Sequence, residues 1–159
     1  MKSRLVVGIF SLFLTLVLPL QAGPAAPGSE NTDIQAFLQE FVLAFDNLDW
    51  PAFSDCFSDS ATVFHPAPPN LRRTDSRDQF EKAWLGVFDR IRKESARSSP
   101  PYMRLKPEDL QIENLADSVA LVTFHLTNGN ILSRRTLVLK KFPVGWKIVH
   151  IHASNLPVN

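Results

Sequence analysis

Apolar residues recur at helical spacing at Ile34, Phe37, Leu38, Phe41, Val42, Phe45 and Leu48. This broad stripe predicts an amphipathic helix that starts near Thr32, where Thr32-x-x-Gln35 forms a capping box. Asp49 can cap a second, short helix that tolerates Pro51 in its first turn and turns Phe53, Cys56 and Phe57 inward. Residues Ala61 to His65 then alternate and stop at Pro66, which cannot donate to a β-ladder, so one short strand is expected. After the loop PAPPNLRR, Ser76-x-x-Gln79 makes another capping box, and Phe80, Trp84, Val87, Phe88 and Ile91 share one helical face. This third helix is expected to end near Arg97. Its acids lie in the first turns and its bases in the last, the order that the helix dipole favours.

From Tyr102 the period changes to two. Turn signals at Ala116-Asp117, Asn128-Gly129 and Pro143-Val144-Gly145 divide the remainder into four strands. These are centred on Leu110 to Ile112, Ser118 to Thr127, Ile131 to Phe142 and Trp146 to Ser154. Helices first and an antiparallel meander afterwards define an α+β fold.

The N-terminus adds an address. Lys2 and Arg4 precede an apolar run from Leu5 to Leu20, and Gln21-Ala22-Gly23 follows Pro19, the pattern of a signal peptide cleaved after Ala22. Residues 1–22 are thus expected to be a leader and 23–31 a flexible connector. The folded domain would run over 32–157, with the protein exported to the periplasm or the medium and free of the membrane after cleavage. The chain has 159 residues, enough for one domain with a real core. Its 17 basic against 16 acidic residues give no electrostatic footprint for nucleic acid. The single Cys56 excludes an intrachain disulfide framework, and it is tolerable in an exported protein only if buried.

Two segments carry a family resemblance: Phe57-Ser58-Asp59-Ser60-Ala61-Thr62-Val63-Phe64-His65-Pro66, and Gly145-Trp146-Lys147-Ile148-Val149-His150-Ile151-His152-Ala153-Ser154. With the element order, they resemble the nuclear transport factor 2-like or SnoaL-like superfamily over residues 32 to 157. The second segment is most similar to the calcium/calmodulin-dependent kinase association-domain branch, whose last strand also carries Trp, His-x-His and Ser. The resemblance implies a cone, the cystatin-like roll: a curled antiparallel sheet packed on three N-terminal helices, with an internal pocket and a homodimer through the outer sheet face. It does not imply one activity, because the superfamily includes isomerases, cyclases, dehydratases, transport adaptors and kinase hubs.

Candidate chemistry centres on histidine. His65 stands where the related ketosteroid isomerases carry their proton-shuttling Asp, and an imidazole can act as a general base near neutral pH. The isomerase's enolate-stabilising acids are missing, because Phe41 falls at the position of the Tyr donor and the second donor falls near Arg135. Steroid isomerisation is therefore rejected, and His65 is expected to line the pocket with Phe41, Trp84 and His125. Strict alternation groups His150 and His152 with Trp146, Ile148 and Ser154. The resemblance implies that Val149, Ile151 and Ala153 face inward, which sends both histidines outward to a dimer interface. No metal site and no cofactor is expected, since no carboxylate stands near the His pair to complete or orient a ligand set. Alternation also sends Arg134 and Arg135 to opposite faces, where one could meet an anion, although both are read as solvated.

The resulting expectation is an exported domain that binds a small, largely apolar molecule, with His65 as its main polar contact. Two alternatives stand beside it: a proton-transfer enzyme of dehydratase or cyclase type with His65 as base, and a noncatalytic dimeric assembly module.

Overall fold

The computed structural model describes residues 27–66, 69, 72–128 and 130–157. The expected leader and its cleavage site lie outside the described residues. No helix among the described residues is long and apolar enough to cross a membrane.

The elements follow in the expected order: α1 (Pro27–Asn47), α2 (Trp50–Asp55), β1 (Phe57–Phe64), α3 (Arg77–Glu94), β2 (Glu108–Ala116), β3 (Val119–Asn128), β4 (Ile131–Phe142) and β5 (Gly145–Pro157). The first helix starts earlier than Thr32, within the stretch expected to be a connector. Pro27 at its first position costs nothing there, because that N–H has no intrahelical partner anyway. Both shorter caps form as read. Asp49 Oδ1 accepts from Ala52 N at 3.1 Å, and Ser76 Oγ accepts from Gln79 N at 3.3 Å. Helix α3 stops at Glu94 rather than near Arg97, because Ser95 turns extended and its hydroxyl donates to the Tyr102 carbonyl.

Helix α1 ends in a Schellman arrangement that its sequence hides. Leu48 takes φ +53°, its N–H donates to the Phe45 carbonyl, and the Asp49 N–H donates to the Ala44 carbonyl. A glycine would adopt that conformation more cheaply, but Leu48 is buried, so core burial offsets the backbone strain.

One curled sheet runs in the order β1-β5-β4-β3-β2. The four C-terminal strands form the antiparallel meander, while β1 pairs with β5 in parallel. The sheet is therefore mixed rather than purely antiparallel, because the chain crosses over through α3 and the meander before it returns beside β1. Strand β1 also starts before Ala61: Phe57 pairs with Ile148, and the Ile148 N–H donates to the Cys56 carbonyl at 2.8 Å. A second irregularity matters more for function. Leu139 pairs with Ile148 but Val138 pairs with His150, so Val149 is an extra residue, a β-bulge. The bulge inverts the face parity of β5 halfway along. Trp146 and Ile148 are buried before it, and Ile151 and Ala153 after it. The grouping of Trp146 and Ile148 with the two histidines is thereby corrected, because strict alternation does not survive an inserted residue.

The core is built around Phe53, which has no exposed surface. Its ring lies 4.7 Å from Trp84, 5.1 Å from Phe88, 5.2 Å from Phe57, 5.4 Å from Phe45 and 5.5 Å from Phe41. A helix of six residues thus ties α1, α3 and β1 together through one side chain. Cys56, at the end of the same helix, is buried as expected, and burial raises its thiol to about 11, so it is inert. A second clamp joins α1 to the segment before β2: the Asp46 carboxylate accepts from Leu105 N at 3.1 and 3.3 Å, and its carbonyl accepts from Tyr102 N at 2.7 Å. Burial pushes the Asp46 carboxyl up against the lowering effect of that hydrogen bond.

Phe53→Ala should lower the denaturant-derived stability by about 3–5 kcal/mol, because the cavity left among rings fixed on three elements cannot collapse. Asp46→Ala should cost about 1–2 kcal/mol in the same titration and should raise amide exchange selectively at Leu105.

Candidate functional site

The inner face of the sheet and the two long helices do not close on each other completely. Strand β3 turns Ala120, Val122, Phe124 and Leu126 inward, and β4 turns Ser133, Leu137 and Leu139 inward. Toward one end these layers separate and leave a cavity of about 830 Å³. Phe41 and Phe45 from α1, Trp84 and Val87 from α3, and Phe124 and Ile151 from the sheet give it an apolar wall. Leu105, held by Asp46, closes one side. The volume suits a small organic molecule.

Two buried ring nitrogens lack partners in this wall. His65, placed at the end of β1 where Pro66 stops the ladder, is 7% exposed, and its Nε2 makes no hydrogen bond. Trp84 on α3 is also 7% exposed, and its Nε1 has no acceptor. The rings lie 4.9 Å apart. Burial lowers the His65 pKa, so the ring is neutral at pH 7 and can present either an N–H or a lone pair at Nε2. Buried donors and acceptors are ordinarily satisfied, and leaving one unmade costs about 1–3 kcal/mol. Both rings line the cavity, while the two nitrogens themselves are closed off from solvent.

His65, Phe41 and Trp84 line the cavity together, as the sequence led us to expect. His125 does not. It alternates with the buried Phe124 and Leu126 and so stands on the opposite face of β3, between Glu108 and Arg134 on the neighbouring strands. The period of two excludes it from the pocket. His150 and His152 also lie on the outer face. His150 Nδ1 is 2.7 Å from Thr62 Oγ1, and the Phe64 ring lies against both imidazoles. Burial, then the neighbouring His152 and Arg73, lower the His150 pKa. Among the described residues no three His, Cys, Asp or Glu side chains come together as metal ligands.

Of the cations at the cavity, sequence reading named only Arg135, and read it as solvated. Arg72, Arg73, Lys82, Arg90 and Arg135 line the cavity, and no Asp or Glu does so among the described residues. The first four are exposed, whereas Arg135 projects from the inner face of β4 and burial pulls its guanidinium down to about 10. The sequence signals only the grouping: Arg135 is two and four residues from Leu137 and Leu139, and the structure, which leaves those two no exposed surface, makes their shared face the inner one.

The profile of the SnoaL-like domain family matches residues 34–159. Among curated proteins none matches the chain. Solved structures share the fold at low identity. A putative dehydratase from the NTF2-like family of Streptomyces avermitilis is 16% identical with TM-score 0.65, over 82% of this chain and 99% of that one. A cystatin-like fold protein from Burkholderia xenovorans is 16% identical with TM-score 0.65, over 84% and 96%. A ketosteroid isomerase-like protein from Erwinia carotovora atroseptica is 18% identical with TM-score 0.60, over 80% and 96%. With the helices, curled sheet and cavity of its described residues, the chain belongs to the SnoaL-like domain family, within the NTF2-like fold.

Proposed function

We propose that this SnoaL-like protein is an exported small-molecule binder that encloses one ligand with an apolar body between its sheet and helices. The observation that carries this reading is the 830 Å³ cavity itself, with an aromatic wall that includes the rings of His65 and Trp84. An apolar guest removes the aromatic wall from water. Export follows from the leader pattern of residues 1–22, and assembly as a homodimer would use the outer sheet face that carries His150 and His152.

A second reading is favoured by the same histidine. A neutral, desolvated imidazole whose Nε2 has no protein partner is a candidate general base, so a proton-transfer reaction of dehydratase or cyclase type could run at His65. Binding takes precedence because among the described residues the cavity offers His65 no carboxylate to orient its ring, and the single tyrosine, Tyr102, is not among the lining residues.

Protein purified from its native compartment should carry a mass increment in native mass spectrometry that is released on denaturation, and should run as a dimer. A ligand-free protein that binds no small molecule in a metabolite extract would overturn the binding reading. Should the released compound turn over, His65→Ala will cut kcat far more than it raises KM if His65 is a base, and will change binding alone if it is a contact. The pH response has a definite sign. A histidine whose folded pKa is depressed leaves stability at its full value above about pH 6.5, the unfolded value, and removes it as pH falls toward the folded pKa. The ligand-free Tm should therefore drop between pH 7.5 and 5.5, with His150 contributing in the same direction, and His65→Gln should flatten that drop.

A further inference from the structure

The cavity is charged with one sign only. Five cationic side chains border it and no acid does so among the described residues, in a chain whose basic and acidic totals are nearly equal. Four of the five stand exposed near the mouth, and Arg73 there is engaged by Asp75 at 3.0 Å. Arg135 is different. It lies inside, with its strand neighbours Phe124 and Ala153 themselves part of the cavity wall. Its Nη1 donates to the Arg134 carbonyl at 2.9 Å and reaches the Ser154 carbonyl at 3.5 Å, and no carboxylate among the described residues pairs with it. A desolvated guanidinium ordinarily has a carboxylate on its fork, and here the protein supplies none.

The sheet register places this cation relative to His65. Arg135 pairs with Ala153 on β5, and Phe64 pairs with His152, so His65 follows beside Ala153 on the other side. Arg135, Ala153 and His65 thus stand at one level on three adjacent strands, which puts the backbones of the two polar residues roughly 10 Å apart, two interstrand spacings. Ala153 contributes only a methyl group to the gap between them. A headgroup a few atoms across fits over Ala153 with the guanidinium on one side and the His65 and Trp84 rings on the other.

We propose that the ligand is an organic carboxylate whose anionic end sits over Ala153 between Arg135 and the His65–Trp84 pair, with its apolar body along the aromatic wall. This rests on the binding reading above and narrows its ligand to one charge class. The exposed Arg72, Lys82 and Arg90 add a positive field at the mouth that raises the entry rate of anions and is screened by salt. Arg135 supplies the fork: two parallel N–H···O bonds that a carboxylate accepts and a carboxamide cannot match.

Matched pairs of probes test this on ligand-stripped protein by calorimetric titration: 2-naphthoate with 2-naphthamide, and 3-phenylpropanoate with 3-phenylpropanamide. The carboxylate should bind about tenfold or more tighter than its amide. Arg135→Met should bring the carboxylate to the level of the amide and leave the amide within about twofold, while Arg135→Lys should restore part of the preference. Arg135→Met should also leave the ligand-free Tm unchanged or higher, because it removes a desolvated cation that no acid balances. Equal affinity for acid and amide in the unaltered protein would overturn the carboxylate assignment while the binding reading stands. So would a parallel loss of both probes in Arg135→Met accompanied by a fall in Tm, which would make Arg135 structural. Failure of every probe, acid and amide alike, would take the binding reading down with it.

Discussion

Everything in this fold leans on the ring of Phe53. Six residues of helix cannot hold themselves together, since helix nucleation is costly and propagation over such a length recovers little. What holds α2 in place is an aromatic cluster whose members come from α1, α3 and β1, all within 5.5 Å of one buried ring. Edge-to-face and tilted geometries dominate, so the contacts add directional preference to area burial. The cluster also determines how far the helices stand from the sheet. Phe41, Phe45 and Trp84 pack on Phe53 and also form part of the cavity wall, to which the sheet adds the small Ala153.

Trp84 belongs to both regions. One side of its indole packs on Phe53 and Phe45, and the ring meets His65 on the cavity side. The cavity wall is therefore anchored in the aromatic cluster around Phe53. The cost appears in the unpartnered atoms. His65 Nε2 and Trp84 Nε1 lack a hydrogen-bond partner, and Arg135 lacks a carboxylate although its Nη1 donates to the Arg134 carbonyl; all three residues line one cavity.

The β-bulge at Val149 is the other constraint on which the site depends. Upstream of it, Trp146 and Ile148 close the core; downstream, Ile151 and Ala153 face the cavity and the two histidines face out. Without the extra residue, the same sequence would bury His150 and His152 and expose Ile151. One inserted residue thus allows a single strand to serve core, cavity and outer face in succession.

Most of the architecture was legible in the chain itself. Helical periodicity, the Asp49 and Ser76 caps, the Pro66 stop and the Asn128-Gly129 turn are local signals, and they place the elements because their causes are local. They also brought His65, Phe41 and Trp84 to one cavity through the family resemblance. Three features were decided only by the tertiary structure. Alternation alone does not say which face of a strand is inside, so His125 was placed in the pocket and Arg135 in solvent until neighbouring strands and helices assigned the faces. The bulge at Val149 arises from pairing with β4 and has no signature in β5 alone. The parallel pairing of β1 with β5, which carries His65 to the level of Ala153 and Arg135, joins residues some ninety positions apart; sequence order cannot express it, because register is a property of two strands and of the layer that packs on them.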